Sequence, residues 1–176
     1  MLIEKDFLVI GSGIAGLTFA LKASQLGSVA IVSKDNLDES ATLYAQGGIA
    51  SVMTDDDSFE LHAKDTIEAG RGLCREDGVR IICKEGPARV RELIELGVQF
   101  TRIRGEGYHL SREGGHSKDR ILHANDLTGR EIELTMIEAI NCQENIEVFP
   151  HHMLVDHITL GRLDSKIAPG SSKDEA

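Results

Sequence analysis

The feature that most constrains the fold is a glycine-rich turn between an apolar run and an amphipathic stretch. Phe7–Ile10 is a run of four apolar residues, which predicts a short strand buried on both faces. Gly11, Gly13 and Gly16 follow at once with GxGxxG spacing, and residues 17–26 carry apolar side chains at helical intervals. Such glycines allow a tight turn, close approach of backbone to a pyrophosphate, and close packing of the helix on the strand. The pattern predicts a dinucleotide site, because an ordinary strand–turn–helix unit would need only one of the glycines.

Composition restricts the partners of this chain. It has 176 residues and a formal net charge of −10, which argues against non-specific binding to nucleic acid or anionic membranes. Its longest apolar run is too short to cross a bilayer, and the N-terminus lacks the basic start of a secretory signal. The three scattered cysteines form no CxxC pair, which is typical of reduced thiols in a cytosol. We therefore predict a cytoplasmic globular domain without nucleic-acid or membrane partners.

Later apolar runs predict further strands parallel to the first. Residues 29–33 would complete a βαβ unit, residues 146–149 would add a third strand, and residues 153–160 are a candidate for another. In proteins that bind NAD, an acidic residue after the second strand binds the ribose. Here Ser33 and Lys34 occupy that position, which argues against NAD and leaves NADP or a flavin dinucleotide with Lys34 near its adenosine part.

The helices are predicted from their ends and their apolar periodicity. Asp57 is expected to cap the second helix. A helical stretch over residues 76–96 is expected to divide at Gly86–Pro87, because proline cannot donate the helical hydrogen bond. Thr128 and Glu131 have the spacing of a capping box and predict the start of another helix.

Candidate catalytic groups are few. The seven histidines match no HExxH or Cys/His zinc pattern, so no metal site is predicted. No GxSxG nucleophile elbow follows a strand. Glu113 lies beside Gly114–Gly115 and so presents a carboxylate on accessible backbone, although a solvated hairpin tip also explains such a stretch. Gly47–Gly48 likewise predict either a backbone that approaches a ligand or a plain turn.

Five segments together resemble the L-aspartate oxidase family, within the flavoprotein superfamily of succinate dehydrogenase and fumarate reductase. In chain order they are DFLVIGSGIAG (6–16), VSK (32–34), ATLYAQGG (41–48), YHLSREGGHS (108–117) and RILHANDLTGRE (120–131). The resemblance covers roughly residues 4–156. The first segment is common to many flavoproteins, whereas YAQGG together with HLxREGGHS is specific to the oxidase branch.

The resemblance implies a Rossmann-like α/β FAD-binding domain with a parallel sheet and a non-covalently bound FAD. The FAD pyrophosphate would contact Gly11, Ser12, Gly13, Ile14, Ala15 and Gly16, and Lys34 would lie near the adenosine end. The flavin ring and ribityl chain would contact Ala41, Thr42, Leu43, Tyr44, Ala45, Gln46, Gly47 and Gly48. Membrane-bound relatives usually have at the position of Ala41 a histidine joined covalently to the flavin, and alanine cannot form that bond.

For catalysis, the resemblance implies oxidation of L-aspartate to iminoaspartate, with reoxidation of the flavin by oxygen or fumarate. Glu113 matches the glutamate that lies near the amino group of the substrate in this family. A carboxylate there would attract an α-ammonium group and repel a plain dicarboxylate, so its expected role is orientation and charge pairing. The product would feed quinolinate and NAD biosynthesis, with quinolinate synthase as the implied partner.

The resemblance also sets the expected domain limits. Residues 1–160 are expected to form a partial, apparently truncated FAD-binding domain, and residues 161–176 a polar, disordered tail. The capping and C-terminal helical domains, with the family's substrate-binding arginines and histidines, are expected to be absent. The chain alone is therefore expected not to turn over aspartate. The alternatives are a fragment of a fumarate reductase or succinate dehydrogenase type of flavoprotein, and a non-catalytic remnant that binds nothing.

Overall fold

A computed structural model describes residues 2–103 and 106–161 of the chain. Beyond position 161, the predicted polar tail lies outside the described residues. The helices are α1 (Ile14–Ala23), α2 (Phe59–Ala69), α3 (Glu76–Leu96) and α4 (Thr128–Asn141). The strands are β1 (Phe7–Ile10), β2 (Val29–Val32), β3 (Ile49–Ala50), β4 (Arg102–Ile103), β5 (Glu106–Tyr108), β6 (Leu110–Ser111), β7 (Ile121–Leu122) and β8 (Ile146–Phe149).

The strands β1, β2 and β8 form the parallel sheet that the sequence predicts. β2 lies in the middle, with β1 on one side and β8 on the other. Val9, Val29 and Ile31 are buried on one face and share a hydrophobic core with Leu17 of α1 and Ile140 of α4. The predicted α/β fold with a parallel sheet is thus confirmed. The three strands also end at the same edge of the sheet, beside the N-terminus of α1.

The prediction that β1 is buried on both faces is wrong. β1 is an edge strand, and Leu8 and Ile10 are each 53% exposed. Side chains alternate across a strand, so the buried Val9 faces the core while its two neighbours face the other way. An unbroken apolar run indicates a strand that is apolar on both faces, but it does not indicate which elements cover those faces.

A small antiparallel sheet connects two segments that the sequence analysis singled out. β3 begins directly after Gly48 and pairs with β7, which in turn pairs with β6. The connection between β6 and β7, residues 112–120, carries Glu113. β4 and β5 form a separate two-stranded sheet. The loop of residues 41–48 and the segment that carries Glu113 are therefore attached to the same sheet.

Helices α2 and α3 differ from their predicted limits. Ser58, not Asp57, caps α2, because its Oγ accepts a hydrogen bond from the Leu61 N–H at 3.2 Å. α3 is continuous, with Pro87 inside it, so the predicted division is wrong. One lost helical hydrogen bond does not break this helix, because Cys83 and Val90 on either side of the proline are both buried.

The predicted capping box at the start of α4 is also wrong. Leu127 is the N-cap, and Thr128 is the first helical residue. The hydroxyl of Thr128 accepts a hydrogen bond from the N–H of Ala124 at 3.0 Å. Glu131 accepts one from the N–H of Gln99 at 2.9 Å. Both side chains therefore fix preceding segments of the chain instead of capping each other.

Two further findings concern the predicted strand at the end of the chain and the membrane. Residues 153–159 adopt no regular secondary structure, so the further strand suggested for this segment is not formed. No helix in the described ranges combines the length and apolar character needed to span a bilayer.

Candidate functional site

The turn from β1 to α1 has a structural need for glycine at two positions. Gly11 has φ +102°, a conformation that L side chains rarely adopt, and its N–H donates to the Val32 carbonyl at 2.8 Å. A Cβ on Gly16 would collide with the carbonyl oxygen of Gly11. Gly16 therefore allows α1 to pack directly against the turn, which is the function that the glycine pattern assigns to it.

The N-terminus of α1 offers amide groups to an anion. Gly13 is the N-cap, and its missing side chain leaves room beside Thr42, whose Oγ1 would lie 3.5 Å from an added Cβ. The Ile14 N–H donates to that same oxygen at 3.0 Å. Ala15 and Gly16 also belong to the first turn, whose N–H groups have no helical carbonyl one turn earlier. The Ala15 and Gly16 amides and the positive end of the helix dipole favour a phosphate group.

A cleft of about 810 Å³ opens beside this helix end. It is lined by the glycine turn and by residues that follow β2 and β8, among them Ser12, Gly13, Lys34, Ala41, His152 and Leu154. A cleft of this volume can accept a cofactor, and open α/β sheets bind ligands at the carboxyl ends of their strands. Backbone amides, an exposed lysine and an apolar wall together suit a dinucleotide diphosphate and its adenosine part.

Residues after β8 line the cleft without having been predicted as site residues. The N–H of His152 donates to the carbonyl of Ser33 at 2.9 Å, and its ring packs edge-on against Phe149 with 6.0 Å between ring centroids. Met153 and Leu154 continue the wall. The signal that could have identified them is their position directly after the third parallel strand, because its end meets the same edge of the sheet.

The loop that begins at Ser40 is held by hydrogen bonds from two directions. Ser40 Oγ accepts from the N–H groups of Thr42, at 3.1 Å, and Leu43, at 3.3 Å. From α4, the N–H of Gly129 donates to the Ala45 carbonyl at 2.9 Å. A Cβ on Gly129 would collide with the Thr42 carbonyl oxygen, so α4 and this loop approach as closely as glycine allows. Gly129 was not predicted as a site residue, although a Thr-Gly pair at a helix start could have indicated close packing.

The remainder of this loop is largely exposed. Ala41, Gln46 and Gly47 are exposed, and Tyr44 is 65% exposed. The Tyr44 hydroxyl donates to Glu39 at 2.7 Å, and that contact raises the tyrosine pKa. Such a surface is available to a flat ligand.

The two glycines that end the loop differ in their surroundings. A Cβ on Gly48 would collide with the carbonyl oxygen of Leu122, whereas Gly47 has open space around it. Close contact with β7 thus explains Gly48, and Gly47 faces open space where a ligand could approach.

Glu113 lies on an exposed part of the connection between β6 and β7. Its backbone carbonyl accepts from the N–H of His116 at 3.2 Å. Within the described residues, its carboxylate has no hydrogen-bond or ion-pair partner. It is not among the residues that line the 810 Å³ cleft. The structure therefore does not bring Glu113 together with the glycine turn, and it leaves the carboxylate available to an external cation.

A buried ion cluster anchors the segment that carries Glu113. Arg120 is fully buried, and its guanidinium makes two hydrogen bonds of 2.8 Å to Asp57 and one of 2.7 Å to Asp65. Asp65 of α2 also accepts from the N–H of Ser117 at 2.8 Å and from its hydroxyl at 2.7 Å. Both ends of the segment 117–120 are thereby fixed to α2 and to the residue before its cap. Sequence reasoning missed this cluster because its members are 55 and 63 positions apart.

We predict that Asp65→Asn lowers stability at neutral pH but not in acid. Burial alone would raise the pKa of Asp65, but hydrogen bonds from Ser117 and Arg120 outweigh burial and lower it from 3.8 to about 2. A folded-state pKa below the unfolded value gives stability that is present above about pH 4 and is lost as pH falls toward 2. We expect a loss of about 2 kcal/mol in the free energy of unfolding near neutral pH.

Urea unfolding near neutral pH and in acid measures this effect. The matched control is Asp56→Asn, which removes an exposed pair with Lys118 and should change stability by less than about 1 kcal/mol. The result to compare is the difference in free energy of unfolding between wild type and Asp65→Asn. If this difference stays constant as pH falls toward 2, the charge of Asp65 does not stabilise the fold.

Comparison with known proteins places these features in a family. Residues 6–163 match the family model described as FAD binding domain. The chain is 51% identical over 154 residues to the chloroplastic L-aspartate oxidase of Oryza sativa subsp. japonica, covering 88% of this chain and 24% of that protein. It is 45% identical over 167 residues to the L-aspartate oxidase of Pseudomonas aeruginosa, covering 91% of this chain and 31% of the relative.

A solved flavoprotein structure has a similar fold. The fold is similar to that of an E. coli quinol fumarate reductase, with a TM-score of 0.83 and 31% identity over 88% of this chain and 27% of that one. The chain spans about a quarter of the length of the curated relatives it matches first. The predicted resemblance is confirmed, and the cofactor that the family indicates is FAD. The chain belongs to the FAD-binding domain family of flavoproteins, with L-aspartate oxidases among its relatives.

Proposed function

We propose that this chain supplies the FAD-binding part of an L-aspartate oxidase. The observation that carries the proposal is the N-terminus of α1, whose glycine turn and amide groups border a cleft at the carboxyl ends of three parallel strands. Identity of 51% to a plant L-aspartate oxidase supports the choice of enzyme. Residues 1–160 would form this part as one unit, followed by a polar tail at 161–176.

FAD would be held by backbone groups and by one lysine. The turn from Gly11 to Gly16 would hold the diphosphate, and the Lys34 ammonium would lie at the adenosine end. The Gly11 and Ile14 amides already donate to the Val32 carbonyl and to Thr42 Oγ1, so the other amides of the turn would bind the phosphate oxygens. The loop from Ala41 to Gly48 would contact the ribityl chain and the flavin ring. The methyl side chain of Ala41 has no nucleophilic atom, so FAD would be held without a covalent bond. When bound, FAD supplies the hydride acceptor for an amine oxidation.

Glu113 would select an amino acid substrate over a plain dicarboxylate. Its carboxylate is exposed and has no ionic partner in the described part of the chain, so it could pair with the α-ammonium of L-aspartate. A plain dicarboxylate such as succinate carries only negative groups, which weakens its binding beside a carboxylate. The proposed reaction yields iminoaspartate, with oxygen or fumarate as the final electron acceptor. Its product would pass to quinolinate synthase in the cytoplasm.

A chimeric enzyme tests the proposed function. Residues 6–161 of this chain would replace the matched part of the Pseudomonas aeruginosa L-aspartate oxidase, to which the chain is 45% identical. We expect the chimera to bind FAD and to produce hydrogen peroxide with L-aspartate but not with succinate. A chimera that folds and binds FAD but oxidises succinate instead would contradict the choice of enzyme. The chain by itself is expected to bind FAD without oxidising aspartate.

A fumarate reductase or succinate dehydrogenase type of flavoprotein is the second candidate. The observation that favours it is the TM-score of 0.83 to the E. coli fumarate reductase. Identity to that protein is 31%, against 44–52% for the first eight curated matches, all L-aspartate oxidases. The succinate arm of the chimera experiment separates the two candidates.

We predict that Glu113→Gln in the chimera raises the KM for L-aspartate by about tenfold or more, because a charge-assisted hydrogen bond contributes about 1.5–3 kcal/mol. kcat should change much less, because the proposed role is orientation and charge pairing. The matched control is Glu138→Gln, an exposed glutamate on α4. Steady-state kinetics with both variants measures the effect. If Glu113→Gln and Glu138→Gln have the same KM for L-aspartate, Glu113 does not bind the substrate.

A further inference from the structure

A carboxyl group without a partner is buried under the loop that would bind the flavin. Glu133 of α4 has no exposed surface, and neither of its carboxyl oxygens has a hydrogen-bond partner of good geometry in the described residues. An ionised carboxylate in such a place is strongly unfavourable, so the folded chain favours the neutral acid. Burial accordingly raises the pKa of Glu133, although the nearby Ser40 hydroxyl opposes the shift in part.

The position of Glu133 on its helix connects it to the loop. Gly129, whose N–H donates to the Ala45 carbonyl at 2.9 Å, precedes Glu133 by four residues on α4. Residues at that spacing share one face of a helix, so both lie on the side that packs against the loop. Ser40 of the loop is close enough to Glu133 to affect its pKa.

Hydrogen bonds of Ser40 lead from this part of the loop to the N-terminus of α1. Its Oγ accepts from the N–H groups of Thr42 and Leu43, which forms the turn that starts the loop. Thr42 in turn accepts from the Ile14 N–H through Oγ1. Ser40 also borders the 810 Å³ cleft. Ser40 and Thr42 therefore connect the loop beside Glu133 to the first turn of α1, next to the amide groups proposed to bind the diphosphate.

We propose that Glu133 is a positioning residue for FAD: as the neutral acid it supports the turn at Ser40, and its ionisation loosens residues 40–45 and weakens FAD binding. This inference rests on the proposed FAD site and deepens it, because it adds a positioning residue that makes FAD binding depend on pH.

The charges around Glu133 favour the neutral form. Asp38, two residues before the loop, is the charged group that acts on Glu133, and a negative neighbour further raises its pKa. α1 and α3 also pack against α4. Lys22 of α1 and Arg89 of α3 both pair with Glu92 of α3, at 3.0 and 2.7 Å, and neither is among the charged groups that act on Glu133. A pKa raised above 4.5 means that the stability due to the neutral acid is complete in acid and is lost as pH rises through the folded-state value.

FAD titrations from about pH 5 to about pH 9 test the inference, with wild type, Glu133→Gln and the control Glu138→Gln on the same helix. Wild type and the control should lose at least about tenfold in FAD affinity across this range. Glu133→Gln, a neutral analogue of similar shape, should match wild-type affinity in acid and keep it at high pH. A wild-type affinity that does not change with pH, or a Gln variant with the same pH profile as wild type, would overturn the proposal.

Amide hydrogen exchange gives a second measurement that needs no FAD. In wild type, protection of residues 40–46 should fall at high pH relative to Glu133→Gln under the same conditions. If no variant binds FAD, the proposed FAD site fails by itself, and the exchange comparison still decides the role of Glu133. Equal protection of residues 40–46 in wild type and Glu133→Gln at every pH would exclude that role, and so would protection in wild type that does not fall as pH rises.

Discussion

Replacing Arg120 with methionine is expected to lower the free energy of unfolding by about 3–5 kcal/mol, because it leaves two buried carboxylates without their cation. Arg120 is fully buried, and Asp57 is only 1% exposed. The guanidinium binds Asp57 through two hydrogen bonds of 2.8 Å, and Asp65 through one of 2.7 Å. Urea unfolding near neutral pH measures the loss.

The control for this prediction is an exposed ion pair of similar geometry. Arg75 lies 2.8 Å from Asp77, but their side chains are 86% and 66% exposed. Arg75→Met should therefore change stability by less than about 1 kcal/mol. An Arg120→Met variant as stable as Arg75→Met would mean that the cluster does not hold the segment that carries Glu113.

Replacing Gly13 with valine is expected to weaken FAD binding by at least about a hundredfold, a loss of about 2.7 kcal/mol or more. The added side chain would occupy the cleft where the diphosphate has to approach the backbone. The fold should survive, because Gly13 has φ −69° and an added Cβ would make only ordinary contact, 3.5 Å from Thr42 Oγ1. FAD fluorescence titration measures affinity, and urea unfolding measures stability.

Gly16 provides the contrasting variant for this experiment. A Cβ at Gly16 would collide with the Gly11 carbonyl, so Gly16→Val should lose stability as well as FAD. Gly13→Val should thus separate binding from folding, whereas Gly16→Val should not. Undiminished FAD affinity in a folded Gly13→Val variant would place the cofactor away from this turn.

The glycine turn could be predicted from sequence because its requirements are local. The turn needs a positive φ at Gly11 and close packing at Gly16. Both requirements involve residues within about one helical turn, so the spacing of the glycines in the sequence indicates them. The parallel strands were also predictable, because short apolar runs with a helix between them have few alternative arrangements. The end of α3 at Gly97, in a left-handed conformation, was predictable for the same local reason.

Features that depend on distant partners could not be predicted. Thr128 and Glu131 have the spacing of a capping box, but their side chains accept hydrogen bonds from the N–H groups of Ala124 and Gln99 instead. Pro87 should break a helix, yet the buried face of α3 keeps it continuous. The burial of β1 depends on which elements cover its second face, and an apolar run does not indicate what those elements are. Arg120 and Glu133 were missed for the same reason, since each acts through residues far away in sequence.

The amide groups that open α1 are proposed to bind the diphosphate of FAD. Amide NMR of the isotope-labelled chain during an FAD titration tests it directly. We predict that the largest shifts occur at residues 11–16, with further shifts at Lys34 and in the loop 41–48, and that Gly13→Val removes them. Shifts confined to other surfaces, with residues 11–16 unchanged at saturating FAD, would contradict the account.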